Sequence, residues 1–180
     1  RGSFDKYASK EKRGTQVVDK VFLKEIENWR EWLAKDLAVN NKNISVSELN
    51  YAVQKIIDRL IFLRIAEDRG IEPYKTLEHI IRSKYSYSEL VRYFKQSQDK
   101  YNSGLFDFEE DLITPELKVS DKLLDKILDH LYYPNSPYEF SVLGVELLGS
   151  IYEQFLGKVI RLTSGHNAKV EEKPEVKKAG

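Results

Sequence analysis

Few residues in this chain are spaced for chemistry. The three histidines, His79, His130 and His166, stand at no metal-ligand spacing from one another, and no His-Glu-x-x-His run occurs. There is no glycine-rich phosphate loop, P-loop or Gly-x-Ser-x-Gly elbow. Asp107 or Asp111, followed by Glu116-Leu-Lys118, copies the residue order of metal-dependent nucleases. Those sites need adjoining strands, so that the carboxylates converge on magnesium. Here the segment contains Pro115 and no strand alternation, so the match reads as coincidence. Basic and aromatic residues interleave from Arg82 to Lys100, including Lys84, Tyr85, Tyr87, Arg92, Tyr93, Lys95 and Tyr101 just beyond. Such a set can bind phosphates and stack on bases. Glu89 and Asp99 interrupt it, which favours a solvated helix with tyrosines packed beneath. Tyr132, Tyr133 and Tyr138 are expected to pack the last helix.

The charges of Asp58-Arg-Leu-Ile-Phe-Leu-Arg-Ile-Ala-Glu-Asp-Arg-Gly70 are harder to place. At about 100° per residue, Val53, Ile57 and Leu60 form one stripe, and Arg64 and Glu67 fall on it. Burying a charge is costly unless it is paired. Arg64 and Glu67 are therefore expected to form a buried structural pair on a central helix. Arg59 and Arg69 lie off that stripe and become candidates, with Arg82, Arg92 and Lys95, for contact with DNA or a neighbouring domain.

The elements that would carry these residues are helical almost throughout. Phe22, Ile26, Trp29, Leu33 and Leu37 predict a helix from about Asp19 to Val39. Ser45 or Ser47 should cap a long helix ending at Gly70. Leu77, Ile80 and Ile81 suggest a short helix after Glu72-Pro73. Ser86 with Glu89 reads as a capping box opening a helix to about Tyr101. The acidic stretch from Leu105 to Val119 is irregular. Ser120 should cap a helix carrying Leu123, Leu124, Ile127, Leu128 and Leu131. A last helix is expected from about Gly144 to Arg161, with Leu147, Leu148, Ile151, Phe155 and Val159 inward and Gly144 and Gly149 as close-packing positions. The fold class is thus all-α: a multi-helix bundle with a long central helix, an irregular lead-in (1–18), a helical domain (19–164) and a C-terminal tail (165–180) that holds a hairpin strand at most.

At 180 residues the chain suits one domain with a real core. Its 29 basic and 29 acidic residues balance, so no global pull toward nucleic acid or membrane exists, although a local basic face is not excluded. Cysteine is absent, which rules out disulfides and thiolate metal sites and suits a reducing, cytoplasmic setting. No apolar run approaches the roughly 18 residues that cross a bilayer. The lack of methionine suggests a segment of a longer protein.

Several blocks, in order, carry a family resemblance. They are Phe22-Leu-Lys-Glu-Ile-Glu-Asn-Trp-Arg30 with Leu33-Ala34, Asp58 to Gly70, Tyr101-Asn-Ser-Gly-Leu-Phe106, Leu143-Gly144, Ile151-Tyr-Glu-Gln-Phe-Leu-Gly157 and the ending Lys173 to Gly180. From about Phe4 onward the chain resembles the helical region of Eco57I-like, type IIG restriction–modification proteins, which fuse an endonuclease to an adenine-specific DNA methyltransferase. Phage-exclusion methyltransferases of similar architecture share it. The family's Tyr-Thr-Pro and Asn-Pro-Pro-Tyr motifs and its S-adenosylmethionine loop do not occur here. The resemblance implies a non-catalytic connector with no cofactor of its own and a tail leading toward a methyltransferase domain. The parent enzyme would use S-adenosylmethionine and magnesium. Its partners would be DNA and the flanking nuclease and methyltransferase domains, with no membrane. The alternative is a nucleic-acid-binding helical module acting alone, and a third reading is a nuclease built on Asp107, Glu116 and Lys118.

Overall fold

A computed structural model describes residues 2–142 and 146–173, with side chains from Lys20 onward except Leu147, Leu148 and Gln154. Gly144, the inward leucines 147 and 148, and the tail from Pro174 therefore lie outside the described residues. Six helices and one hairpin appear among those described: α1 (Gly2–Asn40), α2 (Val46–Asp68), α3 (Thr76–Ile81), α4 (Ser86–Tyr101), α5 (Asp121–Leu128), α6 (Glu146–Leu156), β1 (Lys158–Leu162) and β2 (Ala168–Glu172).

Helix α2 is the axis of the core. Thirteen of its 23 residues are buried, on all sides, and it packs against α1, α3 and β1. A helix apolar all round must be enclosed. Ser45 caps it: the hydroxyl accepts from the Glu48 amide at 3.1 Å, and the Glu48 carboxylate accepts from the Ser45 amide at 3.1 Å. Gly70, with φ +75°, turns the chain away just after its end. On α1, Phe22, Ile26, Trp29, Leu33 and Leu37 are all buried, as their spacing predicts.

Four expectations are corrected. The lead-in expected to be irregular is helical in backbone from Gly2, because lysine, glutamate and arginine favour helix without any apolar period. The last helix stops at Leu156 rather than Arg161. Beyond Gly157, the β-branched Val159 and Ile160 enter a strand, and Ala168–Glu172 returns antiparallel to it, so the domain is helical with a small sheet. Ser86 is not a cap; it lies inside α4, and its hydroxyl donates to Asp121 at the start of α5. Gly149 is exposed with open space where a Cβ would stand, so close packing does not explain it. Ser120 does cap α5, accepting from the Leu123 amide at 3.3 Å. Leu131 falls beyond that helix but remains buried.

The hairpin is docked by polar side chains rather than by another strand. The Asn50 amide on α2 donates to the Ile160 carbonyl at 2.9 Å and accepts from the Ile160 N–H at 3.1 Å. Arg30 on α1 donates to the carbonyls of Phe155 and Lys158 at 3.2 and 2.9 Å, with its guanidinium 4.4 Å from the Phe155 ring centre. Lys158 pairs with Glu27 at 3.0 Å. Replacing Asn50 by alanine strands both polar groups of the fully buried Ile160. The expected loss is about 1–3 kcal/mol in urea unfolding, with faster hydrogen exchange at the Ile160 amide and little change in α5.

Candidate functional site

The two internal arginines of α2 build the most organised polar arrangement in the domain. Arg59 has no exposed surface. It pairs with Asp111 at 2.8 Å, and Asp111 is equally enclosed. Its Nε donates to the Leu105 carbonyl at 2.9 Å and its Nη1 to the Thr114 hydroxyl at 3.0 Å. Phe108 and Phe94 face the guanidinium at 4.5 and 5.7 Å from their ring centres. Asp111 also accepts from the Ile113 and Thr114 amides at 3.1 and 2.9 Å and from the Thr114 hydroxyl. Burial alone would raise the Asp111 carboxyl; Thr114 and Arg59 outweigh it and hold the group below its usual range. Tyr87 of α4 closes the knot, donating to the Thr114 carbonyl at 2.6 Å.

Arg64 is buried as its stripe position predicts, but its ion partner is Asp68 and not Glu67. Both acids are within helical reach, at i+4 and i+3. Glu67 is already engaged, accepting from the Lys75 and Leu77 amides at 2.7 and 3.1 Å and from the Tyr132 hydroxyl at 2.7 Å. Burial nevertheless raises the Glu67 carboxyl against those donors and nearby Arg64. Asp68 stays free to take Arg64 and also accepts from the Phe140 amide at 2.9 Å. The Arg64 Nε donates to the Leu131 carbonyl at 2.7 Å, and the rings of Tyr132, Phe140 and Tyr74 lie 4.4, 4.8 and 5.4 Å from its guanidinium.

The proposed contact residues part company. Arg59 is overturned as a DNA or domain contact, because a fully enclosed guanidinium reaches neither. Arg69, Arg82, Arg92 and Lys95 are exposed. Arg82 pairs with Glu78 at 3.2 Å and Arg92 lies 3.7 Å from Glu89. An open cleft beside Arg82 and Lys84 is lined across from them by Asp121, Asp125 and Asp129. The charge there is mixed, not one basic face. Of the interleaved tyrosines, Tyr87 and Tyr93 are buried and Tyr85 is exposed. Tyr132 covers Arg64, and Tyr138 meets Phe22 of α1 at 5.0 Å between ring centres.

The nuclease-like residues do not converge. Asp111 is held by Arg59, Asp107 accepts from the Glu109 and Glu110 amides of its own turn, and the Lys118 backbone is clasped by the Asn41 amide. His130 sits 2.6 Å from Glu25, and His166 3.1 Å from the Asn41 carbonyl. No group of three metal-binding side chains occurs among the described residues, and no described helix is long and apolar enough to cross a membrane. Sequence reasoning missed Asp111 and Thr114 as the partners of Arg59. Asp68, four residues after Arg64, was visible as an i,i+4 partner.

Comparison with known proteins accords with the sequence resemblance. The chain is similar to the type II restriction enzyme and methyltransferase RM.Eco57I of Escherichia coli, 39% identical over 158 residues. The match covers 88% of this chain and 16% of that enzyme, so the chain corresponds to a small share of its relative's length. No family model matches. No solved structure matches.

Two measurements test the site. Arg59→Ala leaves Asp111 buried without its partner and should lower unfolding free energy by about 3–5 kcal/mol; Arg64→Ala should lose less, because Asp68 is partly exposed. Asp58, half-buried on α2, has its carboxyl pushed up to about 6 by burial, against the Gln54 amide that bonds it. A raised folded-state value means that the ionised carboxylate destabilises the fold. Relative to Asp58→Asn, the parent chain should lose stability as pH rises from about 4 to about 6, by up to roughly 3 kcal/mol. A flat difference across that window would contradict the assignment.

Proposed function

We propose that this chain is a helical spacer of a restriction–modification enzyme that carries endonuclease and adenine-N6 DNA methyltransferase activities. In this reading the domain performs no chemistry itself. It holds the catalytic domains, and through them the target strand, at a fixed separation. The parent would bind DNA and use S-adenosylmethionine and magnesium in those other domains. The similarity to RM.Eco57I over 88% of the chain supports the setting. The observation that carries the spacer role is the pair of buried arginine knots. They tie α2 to the segments at Leu105–Thr114 and Leu131–Phe140, so distant stretches of chain cannot move independently of the central helix. A stiff block transmits position, whereas a flexible linker would blur the geometry of two active sites on one duplex.

Contact with the DNA backbone is a secondary element of the proposal, resting on exposed Arg69, Arg82, Arg92 and Lys95. Because Arg82 and Arg92 are partnered by Glu78 and Glu89, their contribution is expected to be small. The stand-alone nucleic-acid module fits the mixed surface charge less well than the spacer does.

The test uses the full-length enzyme. Arg59→Met/Asp111→Leu, which loosens one knot without stranding a charge, should leave the affinity for DNA nearly unchanged while blurring the cleavage position relative to the recognition site. An unaltered cleavage distance in a correctly folded variant would sink the spacer role. In the same enzyme, the triple alanine variant of Arg82, Arg92 and Lys95 should flatten the salt dependence of DNA binding if these residues meet phosphates. An unchanged slope removes the contact and leaves the spacer.

A further inference from the structure

Helix α6 buries one side and leaves the other open. Ile151 and Phe155 are buried. At about 100° per residue, Gly149, Tyr152, Glu153 and Leu156 share the opposite side. Tyr152 keeps 55% of its surface exposed and Leu156 47%. Gly149 and Glu153 are exposed as well. A Cβ placed on Gly149 would meet nothing within 4 Å, so the surface beside Tyr152 is unobstructed. Glu146 and Glu153 are the only charged residues of α6, and both are exposed.

The chain itself returns to this helix. Lys173, the residue after β2, donates its amide to the Gly157 carbonyl at 3.1 Å, so the hairpin ends beside the last turn of α6. Seven residues follow, Pro174-Glu-Val-Lys-Lys-Ala-Gly180. Fully extended, they reach about 23 Å. The 11 residues of α6 rise only about 16 Å. We propose that residues 174–180 run back along the open side of α6, antiparallel to it, as a strap. Pro174 and Val176 share one face of an extended segment, about 7 Å apart. Leu156 and Tyr152 are separated by a rise of about 6 Å. Pro174 therefore meets Leu156, and Val176 meets Tyr152 and the open surface at Gly149. Lys178, next on the same face, arrives at Glu146. The charges are complementary, since α6 carries acids alone and the segment has two lysines against one glutamate. The covalent tether supplies an effective concentration of about millimolar, so contacts too weak to join two molecules suffice here. The strap delivers residue 180 to the Glu146 end of α6, and whatever is joined to it departs from there. The docking does not rest on the spacer reading; within that reading it sets the direction in which a following domain is carried.

NMR relaxation on the 180-residue chain supplies the test. The Val176 amide should show an order parameter above about 0.6, outside the flexible range, at every protein concentration. Val176→Asp should drop it below that value and move the amide resonances of Gly149 and Tyr152, while those of α5 stay in place. Glu146→Lys should lower the order parameter at Lys178, and adding Lys178→Glu should restore it, because the charges are then exchanged and still opposite. Circular dichroism of each variant checks that the domain still folds. A parent chain with a Val176 order parameter below about 0.6 would overturn the proposal. So would a Val176→Asp variant that leaves Gly149 and Tyr152 unmoved, or a charge exchange that restores nothing. Order at Val176 that appears only at high concentration would also overturn it, by showing that a second copy covers this side of α6.

Discussion

A guanidinium shut away from water must find its hydrogen bonds inside the protein, and Arg59 finds partners for Nε and Nη1, though not for Nη2, on a segment 46 to 55 residues further along the chain. That requirement fixes the stretch from Leu105 to Thr114, which has no long helix or strand to hold it. Asp111 supplies the charge, Thr114 a hydroxyl and Leu105 a carbonyl, and Phe94 and Phe108 cover the faces of the cation. Remove the charge and the acidic loop loses the reason for its course. Arg64 does the same one helical turn further on for the segment around Leu131 and Phe140, through Asp68. The central helix thus organises irregular chain by satisfying charge, while its aliphatic residues gather the neighbouring helices by burial.

The same economy recurs at the edges of the core. Asn50 stands in for a missing strand beside Ile160, Asn41 clasps the Lys118 backbone, and Asp36 of α1 accepts from both the amide and the hydroxyl of Ser120 at the head of α5. Each is a side chain on, or one residue beyond, one of the two long helices, meeting backbone groups of a later segment. Such bonds are directional, so they set register where apolar contact alone would allow sliding. The hairpin is consequently part of the domain and not an appendage on a linker.

A block of this kind is suited to holding other domains apart. Its buried arginines and their acids are engaged in tying segments together, while its described surface interleaves acids with bases. The similarity to a restriction–modification enzyme supplies the setting in which a spacer has work to do.

Local rules carried much of the fold. The apolar spacing on α1, the Ser45 and Ser120 caps, the turn at Gly70 and the burial of Arg64 all follow from residues within a few positions of each other, where helix geometry alone decides. Helix from Gly2 escaped because charged helix formers leave no apolar period, and β1 escaped because Val159-Ile160 also continues the periodicity of α6. What no local rule could supply is the choice among partners. Arg64 had two acids in reach, and Asp68 took it because the Lys75 and Leu77 amides and Tyr132 had claimed Glu67. Arg59 lies off the Val53–Ile57–Leu60 stripe, but Ala52, Ile56, Leu63 and Ala66 on its own face are buried too, and the loop at Asp111 completes the wall around it. Sequence determined the amphipathic helices and their caps, though not the lead-in helix or the hairpin. The tertiary structure decided which charges are buried and with whom, because that depends on donors and acceptors tens of residues away.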